Sequence, residues 1–238
     1  MSASFDPKFI KFSTASASSL LTGLISYWKL NETSGTLMDS VASNNSTSIT
    51  GSPTYDASGK LGRCMTIAGA GYISMGTTTN LKPTTSFSVS IWFKTSSTAY
   101  QELISNIMWT SPSYKGWKIA TEYSGTSWNL RGVINNNTNT GIVDSTTAIN
   151  NGAWHLAVMT WNGSTLKLYK DGNQEGGDIP FTYTMLYNAS SDFEIGSKDG
   201  GDGTFTGSVD EIGLWSKALT SGEITTLYNS GTGITHPF

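Results

Sequence analysis

The sequence predicts an all-β fold, a two-sheet antiparallel jelly-roll sandwich with one short C-terminal helix. Three observations lead there. Charged residues make up only 13% of the 238, glycine counts 26, and Ser, Thr and Asn are abundant; this balance suits short strands and polar turns rather than a helical bundle. Apolar residues alternate with period two, most plainly in FSVSIWFKT (87–95), where Phe87, Val89, Ile91 and Phe93 share one face. Turn signals punctuate these runs. In WHLAVMTWNGSTLKLYKDG (154–172), Asn162-Gly163-Ser164 has the composition of a tight hairpin turn, and Lys170-Asp171-Gly172-Asn173 makes the next one.

Taken in order, residues 1–20 read as an N-terminal arm. FDPKFIKF is an aromatic and basic cluster, and STASASS behind it has linker composition. The arm docks on the domain or on a neighbouring chain, or it is a free terminus. The sandwich spans residues 21–230. Its strand candidates are GLISYWKL, LGRCMTIA, FSVSIWFKT, QELISNI, GWKIATEY, WNLRGVIN, the two runs of 154–172, SDFEIGS and GSVDEIGLW. Only KALTSGEITTLYNSG (217–231) suggests a helix, with Thr220 as N-cap, Glu223 at capping-box spacing and Gly231 as the stop. Residues 231–238 are a C-terminal tail.

Several function classes are disfavoured. Fourteen basic residues scattered singly, within a net charge of −3, give no phosphate-binding surface, so no nucleic-acid partner is expected. Cys64 is the lone cysteine and sits in a strand-like run, as a small buried thiol would. No transmembrane-length apolar run and no basic stretch leading into an apolar signal segment occur, so membrane insertion is not expected.

One run raises a question of its own. In GSVDEIGLW, simple alternation places Asp210 on the face of Ile212 and Leu214, where an unpartnered carboxylate is costly. Its partner is a cation, a set of backbone amides, or a basic side chain such as Arg63 or Lys217.

The stretches GLISYWKLNETSGTLMDS (23–40), LGRCMTIAGAGYISM (61–75), FSVSIWFKT (87–95), WHLAVMTWNGSTLKLYKDG (154–172) and FTGSVDEIGLWSKALTSGEI (205–224), in this order, resemble the laminin-G-like branch of the concanavalin A-like lectin/glucanase superfamily. The resemblance implies two curved antiparallel sheets, a carbohydrate-binding or adhesive role and a structural calcium ion. It carries the metal residues to Asp39 and Asp210, with Asn44 in the Ser43-Asn44-Asn45 turn. That turn departs from the family's Ser-Gly-Asn by one residue and lacks the glycine. Two carboxylates with turn carbonyls and water fit the oxygen preference of calcium.

The superfamily includes glycoside hydrolases, whose chemistry rests on paired carboxylates. A retaining pair stands about 5–5.5 Å apart, which on one strand means acids at i and i+2 or i+4. Asp192 and Glu194 come nearest, but Asp192 reads as a turn residue, and no enzyme is expected. Zinc chemistry has no support, since His155 and His236 are far apart in sequence.

A sugar site needs an aromatic platform with polar groups around it. Residues 106–137 are rich in both, and Trp109, Tyr114, Trp117 and Asn136 are the ligand-binding candidates. Trp109 and Tyr114 lie in the turn-like IMWTSPSYKG and are expected to be exposed; Trp117 and Trp128, in strand-like runs, fit the core equally well. Trp28, Trp92, Trp161 and Trp215 are assigned to packing. The loop KDGGDGTF (198–205) offers Asp199 and Asp202 as a second candidate, or is a solvated turn. Two functions follow: a carbohydrate- or cell-surface-binding module exposed on a phage virion or adhesin, or a structural virion decoration protein that meets other virion proteins through residues 1–20.

Overall fold

The computed structural model describes residues 19–238, with only the backbone of Thr110. Two antiparallel sheets are stacked, as the alternation requires. Among the described residues, eight strands build the first sheet. Its order is β13 (Asn173–Pro180), β12 (Thr165–Lys170), β11 (Trp154–Trp161), β6 (Phe87–Lys94), β15 (Gly207–Trp215), β4 (Cys64–Ile67) and β3 (Thr54–Asp56), while β1 (Leu24–Trp28) also pairs with β15. Seven strands build the second. Its order is β10 (Thr140–Asp144), β9 (Trp128–Asn136), β8 (Ser113–Tyr123), β7 (Gln101–Thr110), β14 (Glu194–Ile195), β5 (Tyr72–Ser74) and β2 (Ser48–Thr50).

The inward-facing side chains of both sheets meet in one core. Phe87, Val89, Ile91 and Phe93 all belong to it, together with Trp28, Trp117, Ile119, Trp161 and Phe193. A second cluster covers the outer face of the first sheet. It joins Tyr27, Trp92, Val158 and Trp215 to Leu219, Ile224 and Leu227 on and beside α1 (Ser221–Tyr228). Trp28, Trp92, Trp161 and Trp215 are thus packed as expected, in two different layers.

The helix begins where its capping box placed it. Thr220 accepts from the Glu223 N–H, and Glu223 accepts from the Thr220 N–H at 2.8 Å. It ends earlier than Gly231, at Asn229, whose φ of 47° takes the left-handed conformation that asparagine tolerates.

Both ends of the described chain belong to the packed body. Of the expected arm, residues 1–18 lie outside the described residues. Leu20 is fully buried in the second cluster, and its carbonyl accepts from the Trp215 indole N–H at 2.7 Å. The expected tail packs likewise, with Phe238 edge-on to Tyr27 at a centroid distance of 5.2 Å.

The orientation of Asp210 corrects the alternation argument. The β15–β6 ladder shifts register between Asp210 and Gly213, and Glu211 adopts a φ of 46°. Such a bulge sets two residues against one and reverses the faces beyond it. Val209, Ile212 and Leu214 therefore all point into the inter-sheet core, while Asp210 stands opposite Trp92 on the outer face.

Candidate functional site

The binding candidates lie on the outer face of the second sheet. Trp117 and Ile119 of β8 point into the core, so alternation sends Tyr114, Lys118, Ala120 and Glu122 outward. Trp109 stands directly opposite Tyr114, one pair before the turn that joins β7 to β8. Their rings meet edge-to-face at 5.6 Å, and both are half-buried. Gly116 makes this pairing possible: at φ +130° its backbone lies so close to β7 that a Cβ would fall 2.0 Å from the Asn106 carbonyl oxygen.

A charged network holds the aromatic pair. The Lys118 ammonium lies 5.0 Å from the Trp109 ring centroid and 5.3 Å from that of Tyr100. It pairs with the fully buried Glu102 at 2.7 Å and donates to the Tyr100 hydroxyl at 2.6 Å. Lys198 approaches Glu102 at 3.5 Å and also pairs with Asp202. The loop of the second sequence candidate thus folds back on this face, and the Trp109 N–H donates to Asp199 at 2.7 Å.

Next to Trp109 opens a cleft of about 440 Å³, lined by Met108, Ser190, Asp192, Glu194 and Asp199 among others. Its acids are tied down. Asp192 accepts from the Gly76 N–H at 2.7 Å and from the Ser74 hydroxyl, the turn role read from its sequence position. Glu194 accepts from the Gly200 N–H at 2.7 Å and from the Ser197 hydroxyl, and burial raises its carboxyl above the ordinary range.

The other ligand candidates take different places. Trp117 is fully buried, packed between Phe87 and Phe193 at centroid distances of 5.6 and 5.5 Å, so it is a core residue and cannot touch a ligand. Asn136 holds the β9–β10 turn, where its side-chain oxygen accepts from the Thr138 and Asn139 N–H groups. Its neighbour Asn137 reaches the site instead, accepting from the Tyr114 N–H at 2.8 Å. Tyr100, Glu102, Lys118 and Lys198 carry no local motif. Only the register of β7 against β8 brings the first three together.

The metal candidates are separated. Asp39 accepts from the N–H groups of Tyr27 and Val41 at 3.0 Å and of Asn44 at 3.3 Å. Asn44 donates its side-chain amide to the Ser26 hydroxyl at 2.7 Å. Asp210 accepts from the Leu61 and Glu211 N–H groups at 2.9 Å. Asp39 bridges to Trp28 of β1, and Trp28 pairs with Ile212 of β15, so about 10 Å (two strand spacings) lies between Asp39 and β15. Among the described residues no group of three or more His, Cys, Asp and Glu side chains could hold a metal ion. The arrangement fits two separate sets of amide donors better than one ion shared by both aspartates. Neither basic alternative reaches Asp210: Arg63 donates to the Glu32 and Tyr55 carbonyls, and Lys217 pairs with Glu223.

The family model for the concanavalin A-like lectin/glucanases superfamily matches residues 68–225. The chain belongs to this superfamily. No curated protein matches the superfamily member described here in sequence. Among solved structures it is similar to domain 4 of AbnA, a GH43 extracellular arabinanase from Geobacillus stearothermophilus, in complex with arabinotriose: 19% identity, a TM-score of 0.66, and coverage of 85% of this chain and 96% of that one. It is also similar to the binding domain of Paraclostridial Mosquitocidal Protein 1, at 14% identity and TM-score 0.61, covering 88% of this chain and 52% of that one. A botulinum neurotoxin type C structure gives 18% identity and TM-score 0.65, covering 87% and 51%. This chain spans about half the length of the two toxin chains. At these identities the likeness is one of fold. Among the described residues no helix is long and apolar enough to cross a membrane.

Proposed function

We propose that this lectin-fold chain is a non-enzymatic carbohydrate-binding module. The observation that carries the reading is the Trp109–Tyr114 pair, half-exposed and held by Lys118 beside the 440 Å³ cleft lined by Asp192, Glu194 and Asp199. A pyranose or furanose presents an apolar ring face to such rings and hydroxyl donors to carboxylates. The amide and hydroxyl bonds that fix Asp192 and Glu194 suit them to recognition, because a held acceptor orients a sugar hydroxyl at little entropic cost. Two of the similar structures support this reading by their own ligands. The arabinanase domain was solved with arabinotriose, and the type C neurotoxin depends on two ganglioside molecules for cell entry.

Exposure on a virion or an adhesin, with the N-terminal arm of residues 1–20 as the attaching segment, is the setting proposed for this activity. A glycan array that includes arabinotriose and ganglioside headgroups tests the binding. Binding by the wild type that disappears in the Trp109→Ala/Tyr114→Ala variant supports the module, and an array blank for the wild type overturns it.

A further inference from the structure

A second cleft lies at the other end of β7. It measures about 530 Å³ and is lined by Lys94, Ser96, Ser97, Ala99, Gln101 and Ser208 among others. Gln101 is the unusual group there. The residue is 4% exposed, and its amide carbonyl oxygen is buried without a hydrogen-bond partner. A primary amide has two donors and a two-fold acceptor, and leaving it unpaired in a protein interior is costly enough that each instance needs an explanation. The neighbours do not supply one. The Gln101 backbone N–H is already served by the Thr121 hydroxyl at 2.9 Å, and the Thr95 hydroxyl is committed to the Thr206 carbonyl at 2.7 Å.

We propose that this cleft is a second sugar-binding site, in which the Gln101 side chain turns its carbonyl into the cleft to accept from a ligand hydroxyl. The lining favours a neutral polyhydroxylated ligand over an anion. Its cation, Lys94, already lies over the Trp154 ring at 5.2 Å and feels the Asp56 carboxylate, so no uncommitted positive charge faces the cleft. Serine hydroxyls and an amide offer the mixed donors and acceptors that a sugar matches, and the volume falls within the range of about 300–1,000 Å³ usual for small-molecule sites. The two clefts lie at opposite ends of β7. Trp109 lies eight positions after Gln101 on β7, which is about 27 Å along an antiparallel strand. One module could then hold two points of a glycan surface and gain avidity without new contacts.

The test is a nuclear magnetic resonance titration of the full chain with methyl glycosides of glucose, galactose, mannose, xylose and arabinose, each used alone. The readout is the Gln101 side-chain amide signal, assigned by its loss in Gln101→Leu. At least one glycoside shifts this signal in the wild type and equally in Trp109→Ala/Tyr114→Ala, which separates this site from the proposed aromatic one. Ala99→Trp, a change at an exposed position on the cleft rim, abolishes the shift. Gln101→Leu, followed through the backbone amide signals of Ser97 and Ser208 in the cleft, weakens the binding at least about tenfold while melting no lower than the wild type, because it removes an orphaned buried acceptor. The proposal is overturned if no glycoside moves the Gln101 signal, if the shift survives Ala99→Trp, or if it vanishes in the aromatic double variant.

Discussion

Asp210 stands opposite Trp92 across the β15–β6 ladder, on the outer face of its sheet, while Ile212 two residues later points into the inter-sheet core. The intervening Glu211 is the bulge residue, in left-handed conformation. Along the other edge of β15, β4 pairs only as far as Val209 and β1 begins at Ile212. The two acids therefore fill the gap between two neighbouring strands. The Leu61 N–H enters that gap to meet Asp210, whereas neither Glu211 carboxylate oxygen has a hydrogen-bond partner. The Tyr27 and Thr235 hydroxyls lie near enough to ease the burial of Glu211 without closing a bond of normal geometry.

This gap makes stability depend on pH. Burial pushes the Asp210 carboxyl up to about 8 and the Glu211 carboxyl up to about 7, from ordinary values of 3.8 and 4.5. Between the ordinary and the raised values the folded chain keeps protons that the unfolded chain has released. The stabilisation is fully present below the unfolded values, declines as pH rises above them, and is completely lost once pH has passed through about 7 to about 8. Thermal melts across this window should show Tm falling with rising pH, and Asp210→Asn/Glu211→Gln should flatten the fall. A wild-type profile flat over the same window would sink the assignment.

Metal addition distinguishes the two roles open to Asp210 and Asp39. With each carboxylate satisfied by backbone amides, a chelator should leave Tm unchanged in otherwise metal-free buffer. The calcium expectation makes the opposite claim: added calcium raises Tm, by about 2.7 kcal/mol of stability at a hundredfold excess over Kd, and Asp210→Asn removes the response. Calorimetry with and without calcium decides between them.

The helix at the C-terminus gives a local check. Thr220 and Glu223 satisfy one another's backbone N–H groups, and Ile224 and Leu227 bury the inner face of α1 against the first sheet. Thr220→Ala should cost about 1 kcal/mol, seen as a lowered midpoint in denaturant with unchanged slope. No change would mean that packing alone positions α1.

These elements also show what could be read from the residues alone. Period-two runs such as Phe87–Phe93 and the Thr220–Glu223 box are local, and they were legible because each is decided by neighbours in sequence. The facing of Asp210 was not, because a single bulge residue inverts the alternation and nothing in the Asp-Glu-Ile-Gly composition announces it. The site divides in the same way. Trp109 and Tyr114 were visible as aromatics flanking a turn. Their support from Lys118, Tyr100 and Glu102 depends on the register of two ten- and eleven-residue strands, a long-range relation. Trp117 stayed open between ligand and core for a related reason: period two fixes which residues share a face but leaves open which face is the core.

That last distinction supplies the sharpest test of the binding site. Trp109 and Trp117 are eight residues apart on one hairpin, yet one is half-exposed beside the cleft and the other has no exposed surface. Truncating Trp117 removes ring contacts with both Phe87 and Phe193 and leaves a cavity between the sheets. Trp117→Ala should cost about 3–5 kcal/mol of stability. Trp109→Ala/Tyr114→Ala empties no core volume, so its melting temperature should stay close to the wild type. Glycan affinity should nevertheless fall at least about tenfold, because the stacking platform is gone. Lys118→Met should lie between the two. It keeps a side chain of similar length over the Trp109 ring but leaves Glu102 buried beside Lys198 alone, so it should lose stability as well as affinity. Paired melting and binding curves on these three variants give the order. A large stability loss in the aromatic double variant, with glycan binding intact, would place those rings in the core and the sugar elsewhere.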